Sequence, residues 1–569
     1  MARVIEIKRR SEPATRGADD ERPSVLVEKG RIDVAADSAS SVVFAPGSPY
    51  FQRGESLVRL IQGADAAKHR KSSEAPLLLP ASGPMLLDDL ERACRFYSRS
   101  SAPDSDEVRI RTVACPKALP AVLLARAGRL PIPSIRGIAE LPLLHSDGSL
   151  VKSGYDNRAG VIVVAPGDWP EPPECPSEAD ARAALALINQ VIEGFPFVAE
   201  SDRSVTLAAM LSAILRPVLP SCPAFAWSAP VRGSGKSKLA DVVAVLATGR
   251  TAPALTWPPQ EDEAEKRLGA SVMAGDAVIL LDNIETALRG ACLNSLLTQP
   301  TVAVRMLGRS QLIRLGAAVL VLATGNNLVL LGDLSRRFLV SHLDPHTERP
   351  ELRRFDFDPV ARAMAKRREL VGALQTIAKW GVSAQTGLPP LGSFEEWSRR
   401  VRDPLVALGL PDCCEVLDSL HRSDPERESA IEVLAEWRRA FGAEATTVAS
   451  AIRSALHDPA LRDALDGVAG GPGGISPKRL GKYLARQRDR IFGALVLRRQ
   501  DDLVSNTAAW SVQSTGDASG FRVTGSDSNG AEKKTEKTVG PTVNPDTRKA
   551  GNEADAYRKA SRGDSDVPF

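Results

Sequence analysis

The chain has 569 residues, 43% hydrophobic and 25% charged, with 73 lysines and arginines against 70 aspartates and glutamates. That length is too great for one core and implies about three or four domains of ordinary globular composition. A net charge of +3 excludes a global basic field as the means of holding nucleic acid, so any such surface has to be local.

No stretch approaches the ~18 consecutive apolar residues of a membrane span, and no long apolar run follows the basic N-terminus. A cytoplasmic protein without a membrane partner is expected. Seven cysteines without a C-x-x-C pair and six scattered histidines support neither a zinc site nor a disulfide framework. Residues 1–40 are polar with Pro and Gly, which predicts a disordered N-terminus. Residues 41–170 read as an accessory α+β domain, with β-like runs at Ser41–Phe44, Ser56–Ile61, Val108–Val113 and Gly160–Val164. Asp88 and Asp89 fall where Leu86–Phe96 begins an amphipathic helix; acids in a first turn favour the helix dipole, so they are read as helical rather than metal-binding.

Glu171–Pro176 is a stiff linker, and residues 171–220 form a helical lead-in, with one helix from Ser177 to about Glu193 and another from Ser201 to Arg216, stopped by Pro217. Residues 221–350 carry the chemistry. An apolar strand beginning at Ala224 runs into Gly233-Ser234-Gly235-Lys236-Ser237 and then a helix-forming run; Pro230 stands where the first glycine of G-x-x-x-x-G-K-[ST] belongs. Backbone N–H groups of such a loop wrap phosphate, the lysine reaches the β- and γ-phosphates, and the Ser237 hydroxyl holds Mg²⁺.

Ala277–Leu281 is an unbroken apolar run ending in Asp282, as expected for a buried parallel strand with an acid at its C-terminal tip, placed to hold Mg²⁺ through water. A further such strand, Ala317–Ala323, ends in Thr324-Gly325-Asn326-Asn327, where an amide can orient water or touch the γ-phosphate. Beyond it, Arg336-Arg337 suits a γ-phosphate clamp, offered in its own subunit or to a neighbour. Between these strands, Thr301–Leu315 reads as a β-hairpin with Arg309 at its tip.

Residues 351–440 are a helical lid or spacer. Its basic helix, with Arg362, Lys366, Arg367 and Arg368, reads as a solvated face, and Trp397 and Trp437 read as core anchors. In residues 441–513, a helix at Thr446–Leu456, a break at Gly470–Gly474, a helix at Ser476–Arg490 and two strands give the order of a winged helix-turn-helix. Leu480, Tyr483, Leu484 and Gln487 trace the inner face of its second helix. Lys478, Arg479, Lys482 and Arg486 lie outside, placed for duplex DNA. Residues 514–569, poor in aromatics, are expected to be a disordered tail.

The series Lys236-Ser237, Asp282-Asn283, Asn326 and Arg336-Arg337 resembles AAA+ ATPases of the superfamily 3 helicase type. More closely, it resembles helicase-like ATPases of phages and integrative elements, related to poxvirus-type primase-helicases. The most specific match is Ala323–Arg337 with Leu343-Asp344 and Glu348–Glu351, within a likeness running from about Leu130 to about Gln513. The resemblance implies an α/β AAA+ P-loop core, a parallel sheet with flanking helices, between the accessory domain and the winged helix. It implies ATP and Mg²⁺ as cofactors, Asp282 as the Walker B acid, Asn326 as the sensor and Arg336 or Arg337 as arginine finger. Asn283 stands where many relatives place the catalytic glutamate, and Glu285 is near enough to serve. It also implies a ring, a hexamer being one candidate size, with Arg309 gripping single-stranded DNA in the pore. Two readings follow: an ATP-dependent helicase-like motor in replication of a phage or mobile genetic element, or an ATP-switched DNA-binding initiator or regulator that unwinds nothing. A primase-helicase with a polymerase site in the N-terminal region is a third.

Overall fold

A computed structural model describes residues 21–69, 75–101, 108–305, 312–316, 318–347, 349–350, 356–384, 386–418, 425–471, 473–502 and 507–514. The unbroken apolar runs of the middle of the chain become strands buried on both faces. Helix α1 (Glu178–Ile192) opens on a capping box, the Ser177 hydroxyl accepting from Asp180 N–H and the Asp180 carboxylate from Ser177 N–H. Helix α2 (Glu200–Leu215) is buried from Ser204 to its end. It feeds β1 (Ala224–Ala229), α3 (Lys236–Thr248), β2 (Ala254–Leu255), α4 (Glu261–Ala274), β3 (Val278–Ile284) and α5 (Ala291–Thr298). After β4 (Thr301–Arg305) and β5 (Leu312–Gly316) come β6 (Leu320–Asn326) and β7 (Phe338–His342).

Five of these strands make one parallel sheet in the order β2-β3-β6-β1-β7. Because all five run the same way, their C-terminal ends share one edge, where ligands of open α/β sheets bind. β4 and β5 pair antiparallel, Thr301 opposite Gly316 and Arg305 opposite Leu312, as the arms of the expected hairpin. Arg309 at its tip lies outside the described residues. The core is anchored by two buried indoles: Trp227 donates to the Thr206 hydroxyl at 2.9 Å and Trp397 to the Ser212 hydroxyl at 2.8 Å.

Helices α6 (Pro359–Ala365) and α7 (Arg367–Trp380) follow; Lys366 and Arg368 are exposed, as a solvated face requires, but that reading needs correction at Arg367. The partly buried Arg367 guanidinium donates to the carbonyls of Val245 at 2.8 Å and Ala247 at 3.1 Å, capping the C-terminal end of α3. Arg362 donates to the carbonyl of Gln190, and Arg368 to that of Pro166. Cations gain most beside orphan carbonyls at a helix end, and those carbonyls come from segments far away in the sequence.

The N-terminal region also differs from expectation. Ile32–Val43 is a helix, preceded by a strand, Ser24–Leu26, that pairs parallel with Arg95–Tyr97. Residues 21–40 are therefore ordered, and Ser41–Val43 ends a helix instead of forming a strand. Ala35, Ala36, Ala39 and Val43 share one helical face and pack with Tyr50, Leu86, Leu90 and Phe96. Strands do form at Ser56–Ile61, Val108–Thr112 and Val161–Val163. Asp88 and Asp89 sit on a helix, Gly83–Ala93, but past its first turn; Asp88 pairs with Arg92 at 2.8 Å and Asp89 with Arg59 at 3.3 Å.

The last folded unit comprises α8 (Pro425–Phe441), β8 (Thr446–Thr447), α9 (Val448–Ala455), α10 (Pro459–Ala469), α11 (Pro477–Gln487), β9 (Ile491–Phe492), β10 (Leu495–Asp502) and β11 (Thr507–Ser514). Its sheet runs β8-β11-β10-β9, and Trp437, Leu461, Leu465, Leu480, Leu484 and Trp510 form its core. Helix α10 is an addition to the sequence reading, although Asp458 caps it in ordinary fashion and Pro459 opens it. α11 ends at Gln487, short of the expected Arg490, and Asp489 turns the chain at φ 62°. Among the described residues no helix is long and apolar enough to cross a membrane.

Candidate nucleotide site

Between β1 and α3 the chain must reverse over a few residues, and Gly233 (φ 77°) and Gly235 (φ 100°) supply the left-handed backbone. Gly235 is the N-cap of α3, so Lys236 and Ser237 fall in the first helical turn. The loop is held from within: the buried Ser234 donates to the Val231 carbonyl at 2.5 Å, and the Lys236 ammonium to the same carbonyl at 3.1 Å. Pro230 is exposed at the mouth of the turn, where a missing N–H costs nothing.

Four sequence-predicted residues converge here from three elements. The Lys236 ammonium donates to Asn326 Oδ1 at 2.8 Å, and the Ser237 hydroxyl to Asp282 Oδ1 at 3.0 Å. Thr324 donates to that same Asp282 oxygen at 2.5 Å and accepts from Asn283 N–H at 3.0 Å. Parallel pairing of β1 with β6 sets Ala229 opposite Asn326, which is why the loop and the amide meet. Burial pushes the Lys236 ammonium below its ordinary value, with Asp282 pulling the other way.

Glu285 lies at the same edge, its Oε1 accepting from Asn283 Nδ2 at 3.1 Å and Arg232 Nη2 at 3.3 Å. The structure separates the two arginines. Arg336 is exposed and pairs with Asp333 at 2.9 Å. Arg337 is mostly buried, its side chain 16% exposed, and donates to the Asn294 carbonyl at 3.0 Å within its own subunit.

No protein-family model and no curated protein matches the chain. Among solved structures, the A-form apo C-terminal region of NrS-1 is similar with a TM-score of 0.34 and 8% identity, covering 80% of this chain and 96% of that one. The JCV helicase structure is similar with a TM-score of 0.19 and 13% identity, covering 42% of this chain and 68% of that one. Both likenesses are remote. The site has to be judged on its own geometry.

A cleft of about 870 Å³ opens beside the glycine loop, lined by Gly233–Lys238, Glu193–Phe195, Asp356–Pro359 and Arg362. Its size, the glycine cradle, the lysine and the hydroxyl–carboxylate pair suit a nucleoside triphosphate with a divalent cation. Phe195, Phe357, Lys238 and Arg232 lie at this site and escaped the sequence reading; Arg232 and Lys238, which flank the motif residues, were within its local reach, and the two phenylalanines were not. A second cavity of about 300 Å³, between Phe44, Phe51, Pro131 and Tyr155, lies in the N-terminal domain and offers no charged group. Lys478, Arg479, Lys482 and Arg486 are exposed on α11, although Arg479 also donates to the Ala469 carbonyl at 3.2 Å.

Proposed function

We propose that this protein is an ATP-driven motor of DNA replication in a phage or mobile element, working as an oligomeric ring. The observation that carries the reading is the meeting of Lys236, Ser237, Asp282 and Asn326 at one sheet edge beside a cleft of nucleotide size. In this reading Gly233, Ser234, Gly235 and Lys236 hold the phosphates, and Ser237 and Asp282 hold Mg²⁺, which would neutralise phosphate charge. Asn326 and Glu285 orient and deprotonate the attacking water, and an arginine reaches in from the neighbouring subunit. Arg336 is the better finger, since Arg337 is occupied within its own subunit. The β4–β5 hairpin, with Arg309, grips single-stranded DNA in the pore, and the last unit acts as a winged helix with Lys478, Arg479, Lys482 and Arg486 toward duplex backbone.

The test is ATP turnover by the full chain with and without single-stranded DNA, together with strand displacement on a forked duplex. DNA-stimulated turnover and unwinding, both lost in Lys236→Ala, support the motor. The second reading, an ATP-switched initiator, is favoured by one observation: Glu285 is held by Asn283 and Arg232 instead of standing free. Tight ATP and duplex binding without unwinding would decide for it.

A further inference from the structure

The cleft extends past the phosphate loop to two aromatic rings. Phe195 follows Gly194, whose φ is 83°, and its ring lies so close over the loop that a β-carbon on Gly235 would come within 2.8 Å of it. Phe357 lines the same cleft, one face covered by the Arg362 guanidinium at 3.2 Å from its centroid. Arg362 is held in turn by the Gln190 carbonyl at 3.0 Å, and Lys238 pairs with Asp358 at 2.8 Å. The wall carrying Phe357 is thereby tied both to α1 and to α3.

Enzymes that choose one base by its edge do so with fixed hydrogen-bonding groups, and these give large discrimination. Among the described lining residues the only hydroxyls are Ser234 and Ser237, both in the phosphate loop and both engaged, with the Val231 carbonyl and with Asp282. No side-chain amide lines the cleft among those residues. Asp358 already accepts from Lys238 and from the N–H groups of Val360 and Ala361. Glu193 and Asp356 are exposed, and water competes for a solvated carboxylate, so neither is the fixed group that edge reading needs.

Resting on the phosphate-loop reading above, we propose that the base is held by stacking on Phe195 and Phe357 and that its edge is not read. The substrate class is then purine nucleoside triphosphates, with ATP and GTP bound within about tenfold of each other. Pyrimidine triphosphates bind more weakly because a single ring covers less aromatic surface.

The test uses the full chain and displacement of a ribose-labelled fluorescent ATP by ATP, GTP, CTP and tripolyphosphate, each with Mg²⁺. Phe195→Ala and, separately, Phe357→Ala should weaken ATP and GTP together by roughly 5- to 100-fold, as loss of a stacking partner does. Tripolyphosphate binding should be unchanged in both variants and lost only in Lys236→Ala. A preference for either purine triphosphate over the other beyond about tenfold overturns the proposal. So does an unaltered ATP affinity in both phenylalanine variants, or an equal loss of tripolyphosphate in both. Failure of the wild type to bind even tripolyphosphate is a distinct result, which removes the phosphate-loop reading and this inference together.

Discussion

Arg336→Ala and Arg337→Ala, neighbours in sequence, should fail in opposite ways. Arg336 makes one contact among the described residues, the ion pair with Asp333 at 2.9 Å, and both partners are exposed. Such pairs contribute ~0–1 kcal/mol, so its loss should move Tm by about 3 °C at most. Arg337 is mostly buried and donates to the Asn294 carbonyl at 3.0 Å and the Thr298 hydroxyl at 3.5 Å in the last turn of α5, while sharing Asp333 at 3.3 Å. A charged hydrogen bond there contributes about 1.5–3 kcal/mol, which predicts a fall in Tm of roughly 3–10 °C. Turnover reverses the order. An arginine acting in trans raises kcat by ~10³ or more, so Arg336→Ala should lose that factor with ATP affinity nearly intact, and Arg337→Ala should stay within about tenfold of wild type below its melting point. Phosphate release and thermal melts measure both quantities. Mixing Arg336→Ala with Lys236→Ala subunits adds a sharper readout, because an intact site can form between the lysine of one and the arginine of the other. Turnover of Arg336→Ala within twofold of wild type, or no recovery on mixing, would refute the assignment.

Burial lowers the Lys236 pKa from its ordinary 10.5, so the folded chain loses this proton before the unfolded chain does. Stability should then rise with pH between the two values, while ATP affinity, which needs the charged ammonium, falls over the same interval; Lys236→Arg should flatten the affinity profile. Arg367→Ala should lower stability by about 2–4 kcal/mol in chemical denaturation, since the carbonyls of Val245 and Ala247 lose a buried charged donor. Lys482→Ala with Arg486→Ala should weaken duplex binding uniformly across sequences and reduce the slope of log K against log salt by about 2, read from fluorescence anisotropy. Turnover without DNA should not change in that pair.

The glycine turn between β1 and α3 could be read from sequence because everything it needs is local: two glycines, a lysine and a hydroxyl between one strand and one helix. The apolar runs also located their strands, with Asn326 at the end of β6, but Asp282 lies within β3, which runs on to Ile284. Phe195 and Phe357 were not legible, because an aromatic residue acquires its role only from what folds opposite it, here the loop near Gly235 and the guanidinium of Arg362. Arg367 was misread for a related reason: four basic residues within seven positions look solvated until the end of α3 is set against them. At Ser41–Phe44, β-branched residues suggested a strand, but the alanines at 35, 36 and 39 give a helix whose apolar face packs with Leu86 and Leu90. Helix α10 was a different failure, since Asp458-Pro459 is an ordinary start signal.

The position of Glu285 follows from a defect in the sheet. Leu281 pairs with Ala323 and Ile284 with Gly325, so two residues, Asp282 and Asn283, stand opposite Thr324 alone. That is a β-bulge, and Asn283 takes its left-handed conformation at φ 54°. The bulge brings the Ile284 carbonyl so near Gly325 that a β-carbon there would sit 2.9 Å from it, which leaves room only for glycine. In an unbroken strand, alternation would send Asp282 and Glu285 to opposite faces. With the extra residue absorbed, Asp282 meets Ser237 and Thr324 while Glu285 reaches Arg232 of the phosphate loop. Asn283 therefore need not replace a missing glutamate. Its side chain restrains Glu285, its N–H holds Thr324 against Asp282, and a strand with one residue too many carries two acids to one edge.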